Sequence, residues 1–274
     1  MPPFDKILPE HFMPAFERGM SLHEAEIDAI TSNKDEATFE NTILAYDNAG
    51  QMLAQTELVF GMLCAAETND RMQALQEQAM PLLAAHRDKI RLDDKLFVRV
   101  KEVYDRRAAL GLDAEQMRLL QKTYDSFVRA GALLDAEQKA RLKEINGQLS
   151  LTAVKFGNNI LAENNNFVLE LKSDELDGLP AGIRDAAREK AQQMGKGDKW
   201  VFTLHKPSLI PLLTYSTRRD LREKIYKAYL NRCNNGDEYD NKQLINDFIR
   251  LRTEKAHLLG YPSYACLLYT SDAA

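Results

Sequence analysis

Residues 135–167 read DAEQKARLKEINGQLSLTAVKFGNNILAENNNF, and this stretch decides the fold class. Positions suited to a buried face recur in it at intervals of three and four, the spacing that aligns side chains along one side of an α-helix. Asp135 and Gln138 are placed to cap the first turn, and the word LDAEQ that contains them also occurs at 112–116. The stretch therefore predicts one long helix from about Asp135 to Ala162, whose buried face consists of Leu142, Ile145, Leu149, Thr152, Phe156 and Ile160.

The same helical pattern extends over much of the chain. The 13 glycines and 9 prolines are few for 274 residues, which favours helices over turns and sheets. Apolar residues recur at three and four across Asn41–Ala66, and a following helix, which Thr68 or Asn69 can cap, runs toward Ile90. Pro81 lies inside that following helix and is expected to kink it or split it in two, because proline lacks a backbone donor.

A change of pattern after residue 163 predicts a small β element. Three asparagines at 164–166 favour a turn, and the apolar and polar residues then alternate in Phe167–Leu171 and again in Trp200–Leu204. These two predicted strands bracket a helix at about Ile183–Met194. The fold class is therefore mainly α, a multi-helix lobe with a small two-stranded β insertion. Later helices are predicted over Asp220–Leu230 and from Tyr239 or Asp240 to Leu259.

Charge and composition exclude several classes of protein. The 36 basic and 41 acidic residues give a net charge of -5, so we expect no nucleic-acid partner. No stretch approaches the roughly 18 consecutive apolar residues of a membrane helix, so we expect no membrane partner. Three scattered cysteines suit neither a disulfide framework nor a zinc knuckle, and a cytoplasmic location is the simplest interpretation. A periplasmic location is the alternative, if an upstream signal peptide has been lost.

The familiar catalytic motifs are missing from the sequence. A zinc peptidase helix needs His-Glu-x-x-His, because two histidines four residues apart face the same metal. The His-Glu pair at His23 and Glu24 is followed by Ile27 where the second histidine should stand. No catalytic, cofactor-binding or metal-binding residue is therefore predicted. Each histidine is interpreted as an ordinary surface or core residue; they are His11, His23, His86, His205 and His257.

Several sequence segments within residues 2–265 nevertheless resemble segments of one protein family, and they occur in the same order as in that family. The resemblance is to bacterial peptidyl-dipeptidases, also called dipeptidyl carboxypeptidases, of the thimet oligopeptidase family of zinc metallopeptidases. The segments are PPFDKILPEHFMPAFERGM (2–20), TFENT (38–42), RLKEINGQLSLTAVKFGNNILAENNNF (141–167), GLP (178–180), FTLHKPS (202–208), RRDLREKIYKAYLNRCNNGDEYDN (218–241) and LRTEKAHLLGYPSYA (251–265).

The resemblance implies a fold, a chemistry and a set of partners. Members of the family are nearly all-helical, with two lobes around a deep channel, and they hydrolyse short peptides; the bacterial branch removes C-terminal dipeptides. Zinc is held in the later lobe by a His-Glu-x-x-His helix and a further glutamate. We therefore expect zinc in the full-length protein and none in this chain. The implied partners are short peptides and the missing C-terminal catalytic lobe, and the chain alone is expected to be inactive.

The sequence suggests four segments. Residues 1–163 are interpreted as an N-terminal helical lobe, 164–211 as a strand-helix-strand segment, and 212–265 as helices leading toward the missing catalytic lobe. Residues 266–274, CLLYTSDAA, are interpreted as a non-native tail. Two other hypotheses stay open, namely a helical binding or scaffold protein derived from the same lobe, and a regulatory homologue that has lost its catalytic lobe.

Overall fold

The computed structural model describes residues 2–269, and over this range the predicted fold class is confirmed. The chain is mainly helical, with one two-stranded antiparallel sheet. The strands are β1 (Leu169–Leu171) and β2 (Trp200–Phe202). The α-helices are α1 (Phe12–Ser32), α2 (Ala45–Asn48), α3 (Gln51–Ala66), α4 (Asp70–Arg91), α5 (Asp94–Asp105), α6 (Ala114–Ala130), α7 (Ala136–Asn166), α8 (Ala181–Gln193), α9 (Lys206–Tyr215), α10 (Arg219–Leu230), α11 (Lys242–Leu258) and α12 (Tyr264–Tyr269).

The chain divides into two compact units. Unit 1 comprises Met1–Val154 and Phe248–Ala274, and unit 2 comprises Lys155–Asp247. Two buried apolar clusters lie among the described residues of unit 1. One of them surrounds Phe12, Phe16 and Phe60, whose rings pack edge to face and tilted. The other is built on residues between Ile27 and Ala132, and its most buried members are Ile43, Leu96, Val100, Val103, Leu120 and Phe127.

The long helix α7 exists as predicted and is longer at its end. Its start is capped reciprocally, because the Gln138 amide donates to Oδ1 of Asp135 at 2.8 Å while the Asp135 amide donates to Oε1 of Gln138 at 3.2 Å. The helix does not stop at Ala162 but continues through the three asparagines to Asn166. One of these asparagines is fixed by a distant residue, since Arg232 donates to Oδ1 of Asn164 at 3.0 Å. This tertiary contact outweighs the turn preference of asparagine.

The single helix predicted over Asn41–Ala66 is wrong, because the chain breaks there. A π-helical segment at Phe39–Leu44 leads into α2, and α3 begins only after Gly50. Gly50 has a φ of +74°, and its amide donates to Oε2 of Glu26 at 2.7 Å. A positive φ is readily adopted by glycine, so the break is stabilised by conformation and by a contact from α1.

The following helix, α4, is capped by Asn69, whose Oδ1 accepts from the Met72 amide at 3.1 Å. It runs unbroken from Asp70 to Arg91 with Pro81 inside it, so the predicted split does not occur. A buried stripe that includes Leu83 and Ile90 continues past the proline. Packing of this stripe compensates for the backbone donor that the proline lacks.

The β element is confirmed with shorter strands than the sequence indicates. The register pairs Leu169 with Phe202 and Leu171 with Trp200. Helix α8 lies between the strands in sequence, and the buried cluster of unit 2 contains residues of the sheet, α8, α9 and α10. The last long helix, α11, begins at Lys242 rather than at residue 239 or 240, since Oδ1 of Asp240 accepts from the Lys242 amide at 2.9 Å in front of it.

The C-terminal residues are described only in part. Residues 264–269 form α12, in which Leu267 is buried, and the remainder of the interpreted tail, 270–274, lies outside the described residues. Over the described range, none of the helices combines the length and the apolar character needed to cross a membrane.

Candidate functional site

Two of the histidines that the sequence places far apart contact each other. Nε2 of His86 lies 3.0 Å from Nδ1 of His23, and Nδ1 of His86 lies 3.5 Å from Oε1 of Glu24. Of the remaining histidines, His11 accepts through Nδ1 from the Leu8 amide, and Nε2 of His205 lies 3.3 Å from Oδ1 of Asn165. The sequence interpretation missed the histidine pair because nothing local connects α1 with α4.

The described residues do not fit a zinc site. No group of three or more His, Cys, Asp or Glu side chains in residues 2–269 is arranged to hold a metal ion, and the pair of His23 and His86 is not part of such a group. Within the described residues, none of the three cysteines takes part in a disulfide. Burial, reinforced by the neighbouring Glu163 carboxylate, raises the pKa of Cys233 to about 11, so this thiol stays protonated at neutral pH and is a poor nucleophile.

Unit 1 has an open cavity of about 590 Å³. We call it the cationic cavity. Its volume lies within the range of small-molecule sites, about 300–1,000 Å³. Four helices contribute to it: α4, α6, α7 and α11. The lining residues are Asp88, Arg91, Arg118, Lys122, Asp125, Ser126, Arg129, Ala130, Asn146 and Lys255.

The orientation of α6 follows from the different character of its two faces, one apolar and one charged. Asp113 and Gln116 cap its start in the same reciprocal manner as in α7. Leu120, Thr123 and Phe127 are buried in the core, which leaves residues 118, 122, 125 and 129 together on the other side of the helix. The apolar pattern that makes α6 a helix therefore also determines which charged side chains line the cavity.

A chain of polar contacts forms one wall of the cavity. Nζ of Lys255 donates to Oδ1 of Asn146 at 2.6 Å, and Nδ2 of Asn146 donates to both carboxylate oxygens of Asp88 at 2.9 and 3.0 Å. Burial lowers the pKa of Lys255 and raises the pKa of Asp88, while the opposite charge of each partner counteracts the shift. Asn146 thus holds an ammonium and a carboxylate on its two sides.

The cavity residues were not singled out from the sequence. A signal was available in α6, where Arg118 and Lys122 stand four residues apart and so place two like charges on one face. The contributions of α4, α7 and α11 could not be recognised in this way, because Asp88, Asn146 and Lys255 are far apart in the sequence.

Comparison with known proteins agrees with the resemblance found in the sequence. Residues 212–271 match the model of peptidase family M3. The chain is 37% identical over 265 residues to dipeptidyl carboxypeptidase of Escherichia coli, an alignment that covers 96% of this chain and 39% of that protein. Dipeptidyl carboxypeptidase of Salmonella typhimurium is 35% identical over the same shares of the two chains. Oligopeptidase A of Escherichia coli is 26% identical over 270 residues, which cover 97% of this chain and 40% of that protein.

The chain spans about two fifths of the length of the curated relatives it matches. The match to the family model lies in the C-terminal quarter, whereas the similarity to the individual peptidases extends over nearly all of this chain. These are two separate lines of agreement. Together they show that the sequence belongs to peptidase family M3.

Proposed function

We propose that this chain is the N-terminal part of a zinc-dependent peptidase that hydrolyses short peptides and releases dipeptides from their C-termini. The observation that carries the proposal is the 37% identity, over 265 residues, to a protein named dipeptidyl carboxypeptidase. Similarity of this extent supports a common fold and a common role in the larger enzyme.

The part played by this chain is structural and substrate-directing. We assign the zinc to another portion of the enzyme because His23-Glu24 is followed by Ile27 rather than by the second histidine of a His-Glu-x-x-His motif, and we assign no bond-breaking step to residues 2–269. The helical lobe instead contributes a wall of the channel that admits short peptides and excludes folded proteins. By itself the chain is an inactive protein of the same family.

A chimeric enzyme tests this proposal directly. Residues 2–265 of this chain replace the aligned segment of the Escherichia coli dipeptidyl carboxypeptidase, and the release of C-terminal dipeptides from an N-blocked tetrapeptide is measured with and without a chelator. We expect chelator-sensitive release by the chimera. A chimera that folds and binds zinc but releases no dipeptide would contradict the proposal and favour a scaffold or regulatory role.

The separate chain supplies the matching control. Purified without the remainder of the enzyme, it is expected to retain less than stoichiometric zinc and to release no dipeptide above a mock purification from the same host. Zinc-dependent dipeptide release by the separate chain would contradict the assignment of the metal to another part of the enzyme.

A further inference from the structure

We propose that the cationic cavity of unit 1 binds a small, multiply charged oxyanion, either a phosphate compound or a polycarboxylate. This inference is independent of the proposed peptidase role, because it depends only on the residues that line the cavity.

The charge of the lining is the first argument. Five cationic side chains and two carboxylates line the cavity, so cations are in surplus by three. The five are Arg91, Arg118, Lys122, Arg129 and Lys255. The whole chain has a net charge of -5, and the surplus is therefore a local departure from the overall balance. A concave surface lined by one sign of charge concentrates counter-ions of the opposite sign.

The second argument is that two of these cations lack an acidic partner. Arg118 and Lys122 are exposed and lie one helical turn apart on α6. Within the part of the chain that the structure describes, no carboxylate oxygen lies within 4.0 Å of either side chain's nitrogen atoms. Like charges four residues apart on a helix repel, and an anion between them would replace that repulsion by two attractions.

The third argument is that Lys255 adds a donor that a hydrogen bond to Asn146 holds in place. Lys255 is half-buried, and one of the three ammonium donors is used by Asn146. Because burial makes the ammonium costly, an anion in the cavity would stabilise the charged form. Arg129 is anchored separately, since it donates to the Leu267 carbonyl oxygen and lies over the Tyr261 ring at 5.9 Å.

The two carboxylates limit the charge that the ligand can carry. Asp88 accepts from Asn146, and both oxygens of Asp125 accept from Nε2 of Gln121 at 2.9 Å. Each is thus kept in place by a neutral amide and remains a negative neighbour of any bound anion. The lining therefore suits a compact oxyanion that neutralises three positive charges better than a long polyanion. The planar guanidinium of Arg118 can donate two parallel hydrogen bonds to a pair of phosphate or carboxylate oxygens.

Calorimetric titration of the 274-residue chain tests the inference. Pyrophosphate and citrate are titrated separately, each against sodium chloride at matched ionic strength. We expect one saturable site per chain for at least one of the two, with a dissociation constant in the micromolar to millimolar range. Binding of pyrophosphate alone would identify a phosphate site, and binding of citrate alone would identify a carboxylate site.

Paired variants connect the binding to the cavity. The double variant R118Q/K122Q removes two charges from the lining, and K34Q/K95Q removes two charges from exposed side chains that do not line it. We expect R118Q/K122Q to weaken binding about tenfold or more and K34Q/K95Q to leave it within about twofold. Should R118Q/K122Q fail to melt cooperatively, the single variant K122Q replaces it.

Two results would overturn the inference. One is the absence of saturable binding of both anions to the wild-type chain. The other is an equal loss of binding in the two double variants, since that would reduce the effect to the overall charge of the chain. Neither result depends on peptidase activity, so failure of this inference is distinguishable from failure of the proposed function.

Discussion

Nε2 of the buried His86 lies 3.0 Å from Nδ1 of His23, although 63 residues separate the two in sequence. One ring must donate the hydrogen and the other must accept it, which requires that at least the accepting ring be neutral. Burial lowers the pKa of both histidines, and for His23 the charge of the partner ring lowers it further. The pair therefore joins α1 to α4 in its neutral form.

Stability should consequently fall as the pH is lowered through the histidine range. The unfolded chain has the ordinary histidine pKa of 6.5 and the folded chain a lower one, so below about pH 6.5 the unfolded chain binds more protons. Urea titrations between pH 8 and pH 5 should show a decreasing free energy of unfolding. The charged groups that face the pair are Glu24, Glu26, Glu57, Arg87 and Lys89.

The variant His86→Gln isolates this effect. Glutamine can donate and accept but does not titrate, so the decrease between pH 7 and pH 5 should become shallower, with a loss of about 1 kcal/mol at pH 8 from imperfect packing. His257→Gln, at an exposed position of α11, should retain the wild-type dependence. An unchanged slope in His86→Gln would show that other groups cause the acid sensitivity.

Arg99 should be a large contributor to the stability of unit 1. Its guanidinium is buried and donates to the carbonyl oxygens of Asn33 and Asp35 at 3.0 and 3.2 Å and to Oδ1 of Asn41 at 3.1 Å. Arg99→Met leaves these acceptors without their donor, and we expect a loss of about 3 kcal/mol in the free energy of unfolding. Arg99→Lys should give an intermediate loss, because an ammonium cannot match the planar fork.

The same helix offers a matched control for this measurement. Lys95 is exposed on α5, and Lys95→Met also replaces a cationic side chain by methionine but removes no contact to the 33–41 segment. Its effect should stay within about 0.5 kcal/mol. If Arg99→Met and Lys95→Met had the same free energy of unfolding in urea titrations, the guanidinium contacts would make no net contribution to stability.

Local features of the fold could be predicted from the sequence, and distant contacts could not. The caps at Asp113 and Asp135 were recognised because donor and acceptor are three residues apart. The break before α3 was missed because it depends on Glu26 reaching the Gly50 amide from 24 residues away. The extension of α7 was missed for the same reason, since Arg232 binds Asn164 across 68 residues.

The candidate site shows the same limit. Residues of the cationic cavity come from four helices, and the sequence makes visible only spacings within one helix, such as that of Arg118 and Lys122 on α6. The charge of a cavity depends on which helices pack together, and hydrophobic periodicity determines the faces of each helix but not its neighbours. The family could be recognised without knowledge of the helix packing, because the resemblance depends on long sequence segments that occur in the same order.

Gly178 should tolerate no side chain. Its φ is +81°, and a Cβ atom there would lie 2.3 Å from the Tyr215 carbonyl oxygen and 2.9 Å from Cγ2 of Thr217. We expect Gly178→Ala to lose about 3 kcal/mol or more, the sum of left-handed strain and a clash with backbone. Gly197→Ala is the control, because φ is +63° in open space and only the strain of about 1 kcal/mol applies. Equal melting temperatures for the two variants would refute the close approach at Gly178.

Two buried asparagines of unit 2 should be energetically coupled. Nδ2 of Asn159 donates to Oδ1 of Asn241 at 2.8 Å, and Nδ2 of Asn241 donates to the Phe156 carbonyl oxygen at 3.2 Å. The two residues are 8% and 2% exposed, so water cannot readily replace a lost partner. Asn159→Ala should cost about 2 kcal/mol, and Asn241→Ala should cost more because it removes two side-chain hydrogen bonds rather than one.

A double-mutant cycle measures this coupling. In urea titrations, the double variant N159A/N241A should lose about 1 kcal/mol less than the sum of the two single losses, because once one amide is absent the other has no partner to lose. Asn166, exposed at the end of the same helix, provides the control, and N166A/N241A should be additive within about 0.5 kcal/mol. Additivity in both cycles would mean that the Asn159–Asn241 contact contributes no coupling energy.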